Sequence, residues 1–242
     1  MTSRTDLSQP VIDALLRRER IILSARLLSG VVHNLSGAVQ MISLPLDLAQ
    51  LALNRGEVHS MEARLGSVRQ GLERLMGEVS LLAARSLGDQ RREAEPLDLA
   101  RLAGEQLDFW KGELFVKHEL TLNRELGQSL GWAKAAYADV ALALNSVLAN
   151  AVDAVRGTQG PWVTVRGFKR EGWLGLEVSD GGPGLSGEMA AELFEPFVGD
   201  KGGEHAGLGL FLANKALEPW GGRVIHQADA PHTTFSIELP TG

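Results

Sequence analysis

Apolar residues recur at three- and four-residue steps through the first third of the chain. Ala25, Leu28, Val32, Leu35, Val39, Ile42, Leu46, Ala49 and Leu53 form one such series, the spacing of a helix packed in a bundle or coiled coil. The pattern runs from about Val11 to Leu53. Pro10 sits where proline is tolerated at a helix start, and Pro45 lies inside, where it should bend the helix or remove one backbone hydrogen bond. Asn54-Arg55-Gly56 supplies a stop. Val58, Met61, Leu65, Val68, Leu72, Leu75, Val79 and Leu82 then alternate three and four without a break. Two long helices joined by a short turn predict an antiparallel hairpin, each helix carrying a narrow apolar seam that one hairpin cannot fully cover. Pairing two copies would bury both seams in a four-helix bundle, so a homodimer through residues 11 to 87 is expected. A monomeric bundle completed by the second half of the chain is the alternative.

From Ser86 to Pro96 the period is lost and the residues turn polar. The chain is therefore divided into a helical hairpin over 1–88, a linker over 89–96 and a second domain over 97–242. All the Trp, Phe and Lys lie beyond the linker, and helix and strand patterns alternate. Helices are predicted over Leu97 to Trp110, Val140 to Val155, Gly187 to Phe194 and Leu208 to Leu217. Strands are predicted near His118 to Glu125, over Trp162 to Phe168 and Leu174 to Ser179 around the turn Lys169-Arg170-Glu171-Gly172, and over Arg223 to Gln227 and Thr233 to Leu239. Together these predict a two-layer α/β sandwich with a mixed sheet.

Composition narrows the classes. Of 242 residues, 44% are hydrophobic and 22% charged, a soluble globular balance, and the absence of cysteine excludes disulfides and a thiol nucleophile. Residues 1 to 90 hold 10 basic and 9 acidic side chains, leaving 14 and 21 for the rest, so neither half has the basic excess of a nucleic-acid binder. Arg17-Arg18-Glu19-Arg20 reads as a solvated helix face. No stretch approaches the roughly 18 to 20 uninterrupted apolar residues of a membrane helix, and Met1 to Asp6 are not followed by a signal-peptide core. A cytoplasmic protein is expected.

Four places carry candidate chemistry. His33 follows Val32 by one residue and so stands off the seam, accessible yet held by a rigid helix; alone, it reads as a boundary residue. Around Leu144 to Ala154, the polar Asn145, Asn150 and Asp153 are set among apolar residues and cannot all be cheaply buried without partners. Asp180-Gly181-Gly182-Pro183-Gly184 places a carboxylate at a strand end beside glycines that let a backbone approach a ligand. Gly207-Leu208-Gly209-Leu210 opens a helix whose free N–H groups suit phosphate. Singly, each of these turns reads as structural.

In this order and spacing the segments resemble the ATP-binding domain of the sensor histidine kinases, within the fold shared by gyrase, Hsp90, histidine kinases and MutL. The resemblance covers most of residues 97 to 242. It implies ATP with Mg²⁺, Asn150 as metal ligand from the asparagine box, and Asp180 on the adenine amino group. Gly182 and Gly184 match the glycines of the DxGxG box that Asp180 opens, Phe194 and Phe197 the phenylalanine box, and Gly207 and Gly209, flanking Leu208, the second glycine box. Lys201 falls in the short lid, where related kinases often aim a lysine at the terminal phosphates. The hairpin then looks like the dimerisation and phosphotransfer domain, with His33 matching the phosphoacceptor and a response-regulator receiver domain as the partner.

Departures are as informative as matches. Where the family usually has an acid after the histidine there is Asn34, which can orient an imidazole but cannot take its proton at neutral pH. Gly37 replaces the Thr or Asn that commonly supports dephosphorylation, so weak or absent phosphatase activity is expected. Ser146 replaces an asparagine, and His205 a glycine. No sensor domain precedes Val11, which makes an upstream sensor protein or a longer chain the expected source of signal. The alternatives are a phosphotransfer scaffold with a vestigial ATP domain and an ATPase of the gyrase or Hsp90 type; the latter usually needs a carboxylate where Ser146 stands.

Overall fold

A computed structural model describes residues 7–57, 59, 61–127, 130–198 and 207–241. The first element is one helix, α1, Gln9–Arg55, started by Ser8 and Pro10 and unbroken through Pro45. Gly56 ends it in the left-handed region at φ 73°, and the Gly56 and Glu57 N–H groups return to the Leu53 and Ala52 carbonyls. Helix α2, Met61–Gln90, runs back along α1. They approach closely at Gly71, where a Cβ would lie 2.7 Å from the Ile42 Cγ1. Val58, the first of its series, lies outside the described residues.

The predicted seams are largely uncovered. On α2, Met61, Val68, Leu75 and Leu82 are half-buried, but Leu65, Leu72 and Val79 are exposed. On α1, Leu28, Val32, Val39, Leu46 and Leu53 are exposed, while a neighbouring stripe of Leu23, Leu27, Val31 and Ala38 is buried. That stripe packs mostly against the second half of the chain.

The expected linker over 89–96 is largely ordered. Helix α2 reaches Gln90, and Ala94–Asp98 form strand β1, antiparallel to β3, Trp132–Ala136. Neither strand contains a β-branched residue, so neither carries a strand signature. Asp98 then caps α3, Leu99–Trp110, by accepting from the Ala100 and Arg101 N–H groups. Helix α4, Leu114–His118, precedes β2, Thr121–Glu125, and α5, Tyr137–Val155, follows β3. Strands β4, Trp162–Arg170, and β5, Trp173–Asp180, form a hairpin. Helices α6, Gly187–Glu192, and α7, Gly209–Leu217, a 3₁₀ turn over Glu218–Trp220 and strands β6, Arg223–His226, and β7, Thr233–Pro240, complete the chain.

The main sheet has the order β2-β4-β5-β7-β6; β2 and β4 are parallel and the other pairs antiparallel, which makes it mixed as expected. Val163, Val165, Leu174, Leu176, Val178, Phe235, Ile237 and Leu239 project from one face into a single core with α3, α5 and α7. The opposite face is charged: Glu177 accepts from Arg166, Arg170 and Gln227, and Glu238 pairs with Arg223. Among the described residues two helices, α1 and α5, are long and apolar enough by length and composition alone to cross a membrane, though polar and charged residues interrupt both. In α5 the apolar stretch is mostly buried in the domain core.

Candidate active site

Helices α5 and α7 lie side by side on the sheet, and the site forms where their ends meet the loop after β5. Asp180 ends β5 and is 2% exposed. One of its carboxylate oxygens accepts the Gly182 N–H at 2.9 Å. Burial pushes its carboxyl up to about 6, from an ordinary 3.8, and the Gly182 N–H and the nearby His232 pull it only partly back. The two glycines of the loop serve different needs. A Cβ on Gly182 would crowd Asp180 and the Ala154 Cβ, at 2.7 and 3.0 Å, whereas Gly184 takes the left-handed backbone, φ 84°.

Asn145 is completely buried and belongs to the scaffold. It accepts from the Trp110 Nε1–H and donates to the Gln106 Oε1, both at 2.8 Å, tying α5 to α3. Asn150, one turn beyond Ser146 on α5, is half-buried with its amide toward α7. Asp153 does not point into open space: Arg26 of α1 grips both of its oxygens, at 2.7 and 3.2 Å, and Arg156 lies at 3.5 Å.

At the other wall, Phe197 adopts φ 68°, a left-handed conformation that is strained for an aromatic residue. Its N–H donates to the Gly207 carbonyl at 3.1 Å, which closes the base of the loop. Gly207 has φ 64° and leaves no room for a Cβ against the Val198 backbone. Phe194 is half-buried against the core. Lys201 and His205 lie outside the described residues.

Helix α7 starts at Gly209 after Leu208, with no side chain capping its first N–H groups. A Cβ built on Gly209 would lie 3.8 to 4.0 Å from Glu19, Asn150 and Ser146, an ordinary contact distance. The protein's own packing therefore does not demand glycine there; an approaching ligand would. The Ser146 hydroxyl faces the same region, buried and without a hydrogen-bond partner. An orphaned hydroxyl, a side-chain amide and uncapped N–H groups around one small cradle suit the phosphates and hydrated cation of a nucleotide. Ser146 and Asn150 are the residues that would hold that end, and Asp180 the base.

His33 is exposed on α1, off the seam as expected, and Asn34 beside it is buried, its Oδ1 accepting from the Lys117 Nζ at 2.8 Å. Sequence reasoning missed the partners that α1 presents to the domain. Of the supposedly solvated Arg17-Arg18-Glu19-Arg20, only the first two are exposed; Arg20 pairs with Asp139, and Glu19 reaches Gly209. The only available signal was that Glu19, at about 3.6 residues per turn, falls on the same side of the helix as Ile12 and Leu23.

Residues 136–242 match the profile of a family described as histidine kinase-, DNA gyrase B-, and HSP90-like ATPase. That match is to the second domain alone, and the relatives that the chain is similar to are named sensor proteins and sensor histidine kinases. Over 238 residues, 97% of this chain and 37% of the other, it is 24% identical to the C4-dicarboxylate transport sensor protein DctB of Rhizobium meliloti (strain 1021). It is 30% identical over 124 residues to the sensor histidine kinase DcuS of Escherichia coli (strain K12), covering 51% of this chain and 23% of that one. The chain thus spans well under half of either relative. The catalytic domain of histidine kinase ThkA shares the fold, with a TM-score of 0.54 and 21% identity over 61% of this chain and 95% of that one.

Proposed function

We propose that the chain is the kinase part of a two-component system: a dimeric, ATP-dependent protein-histidine kinase. It phosphorylates itself on His33 and passes the phosphoryl group to an aspartate of a response-regulator receiver domain in the cytoplasm. The observation that carries this reading is the cradle of Ser146, Asn150 and Gly209, with the buried Asp180 at its far end, in the same chain as an exposed histidine on a rigid hairpin. The exposed apolar seams support self-association through the hairpin, and residues beside His33 give a receiver domain a place to dock.

In this reading Asp180 selects adenine by accepting from its amino group, and the α7 N-terminus and Ser146 orient the phosphates. Asn150 would hold a Mg²⁺ bound with the nucleotide, which would supply neutralisation of charge on the transferring group. A neutral imidazole nitrogen of His33 attacks the γ-phosphorus, an N–P bond forms, and the bond to the β-phosphate oxygen breaks to release ADP. The proton on the second ring nitrogen leaves to solvent, because Asn34 can hold the ring but cannot take it. With Gly37 one turn on, dephosphorylation of the partner by a side chain at that position has no group to use. Incubation with γ-labelled ATP and Mg²⁺ is expected to place an acid-labile label on the wild-type chain and none on His33→Gln. Undiminished label on that variant would remove His33 from the account.

A further inference from the structure

The first half of α1 does more than form a hairpin. Ile12 is buried in a small cluster with Leu208, Phe211 and Leu212 at the start of α7. Arg20 pairs with Asp139 and Arg26 with Asp153, all four side chains 14 to 18% exposed, so these are largely sheltered pairs. Farther along, Asn34 takes a hydrogen bond from Lys117. The segment from Ile12 to Asn34 is thus docked on the catalytic domain at both ends and in the middle.

Two details give this docking a function. First, the Glu19 carboxylate stands at Gly209: one of its oxygens and the Asn150 amide nitrogen lie 3.8 and 4.0 Å, respectively, from where a Gly209 Cβ would be. A carboxylate at the uncapped N-terminus of α7 stands where the phosphates of a nucleotide would be held. Second, His33 lies fourteen residues beyond Glu19 on the same helix, roughly 21 Å along its axis at 1.5 Å per residue. In this arrangement the phosphate end of the site and the phosphoacceptor are far apart.

Gly30 indicates that the docking is written into the sequence. It is helical, needs no positive φ, and inside a helix is about 1 kcal/mol worse than alanine. Its justification is contact: any Cβ there would overlap the Gly112 carbonyl of the catalytic domain. By contrast, a Cβ on Gly66 of α2 meets nothing within 4 Å.

We infer that residues 12–30 of α1 form an autoinhibitory strap that holds the catalytic domain away from His33, with Glu19 standing in the phosphate end of its nucleotide site. This rests on the reading of that site as an ATP site. Nucleotide and strap compete, so the apparent affinity for nucleotide is lowered by the docked fraction. Any movement that draws the start of α1 away from α7 opens the site and frees the domain to travel to His33.

The test is calorimetric titration of the full chain with MgADP, together with the rate of ATP-dependent self-labelling. Gly30→Ala is expected to bind MgADP roughly tenfold more tightly or better and to label faster, as a docked population of about nine-tenths or more requires. Glu19→Gln should also bind more tightly. Gly66→Ala, with the same gain in helix propensity and no clash, should match wild type. If Gly30→Ala misfolds, Arg26→Ala removes a latch without adding bulk and is expected to tighten binding in the same direction. Wild-type affinity in Gly30→Ala, or in Arg26→Ala where it is needed, overturns the strap. So does a Glu19→Gln variant that gains no affinity but loses ATP hydrolysis, which would make Glu19 a water-activating residue. Failure of every variant and of wild type to bind MgADP overturns the ATP-site reading, and the strap with it.

Discussion

Helices α2 and α5 differ in what completes them. Of the 30 residues of α2, only the glycines Gly71 and Gly88 are buried, whereas 15 of the 19 residues of α5 are buried. Both helices are apolar enough to need cover, but α5 finds it inside its own domain, between the sheet and α3 and α7. Helix α2 covers one side of its seam with α1 and leaves Leu65, Leu72 and Val79 to solvent. A regular apolar period therefore says that a face will be covered without saying by what. In the second domain the answer is the same chain; for the hairpin, a second copy is the proposed cover, and the exposed residues are where it would sit.

Substitutions in the two helices should separate these cases. Leu144→Ala, in the fully buried part of α5, is expected to lower the unfolding free energy by about 2–5 kcal/mol, read from chemical denaturation. Leu72→Ala should leave single-chain stability within about 0.5 kcal/mol. A comparable loss from both would erase the distinction between the two halves. Leu72→Asp, which puts a charge into the open seam, should weaken self-association at least tenfold, about 1.4 kcal/mol, with the catalytic domain still folded.

The site adds a pH dependence. Because burial raises the Asp180 carboxyl, its ionisation works against the folded state. The penalty is absent below the ordinary 3.8, grows as pH rises toward about 6 and is complete above it. Asp180→Asn should thus gain stability relative to wild type as pH is raised from 4 to 7, in thermal melts across that range. Nucleotide binding should move the other way. It needs the ionised acceptor, so wild-type affinity should fall by up to about tenfold per unit below pH 6, while Asp180→Asn binds weakly throughout. A pH-independent wild-type affinity between 5 and 7 would separate Asp180 from adenine recognition.

Much of this was legible locally. The three-four period gave both long helices, Gly56 the turn between them, and alternating apolar residues the β4–β5 and β6–β7 hairpins. What escaped was short or long-range. Strands β1 and β3 are five residues each without β-branching, and their pairing depends on α2 delivering the chain to the right edge. The loops at Asp180 and Gly207 were legible as a candidate site only together, through their order, spacing and resemblance, and that Asn145 is scaffold depends on Trp110 and Gln106 on another helix. On α1 the predicted seam is mostly exposed while the adjacent stripe through Leu23, Leu27, Gly30 and Val31 packs against the second half of the chain, and no local pattern distinguishes two faces that are both apolar.

That the hairpin is completed by a second copy while the catalytic domain is complete in itself can be measured most directly by sedimentation equilibrium of the whole chain. The account predicts twice the chain mass of 26.0 kDa for wild type at micromolar concentration and the single-chain mass for Leu72→Asp. A wild-type chain that stays at 26.0 kDa across the accessible concentration range would contradict it.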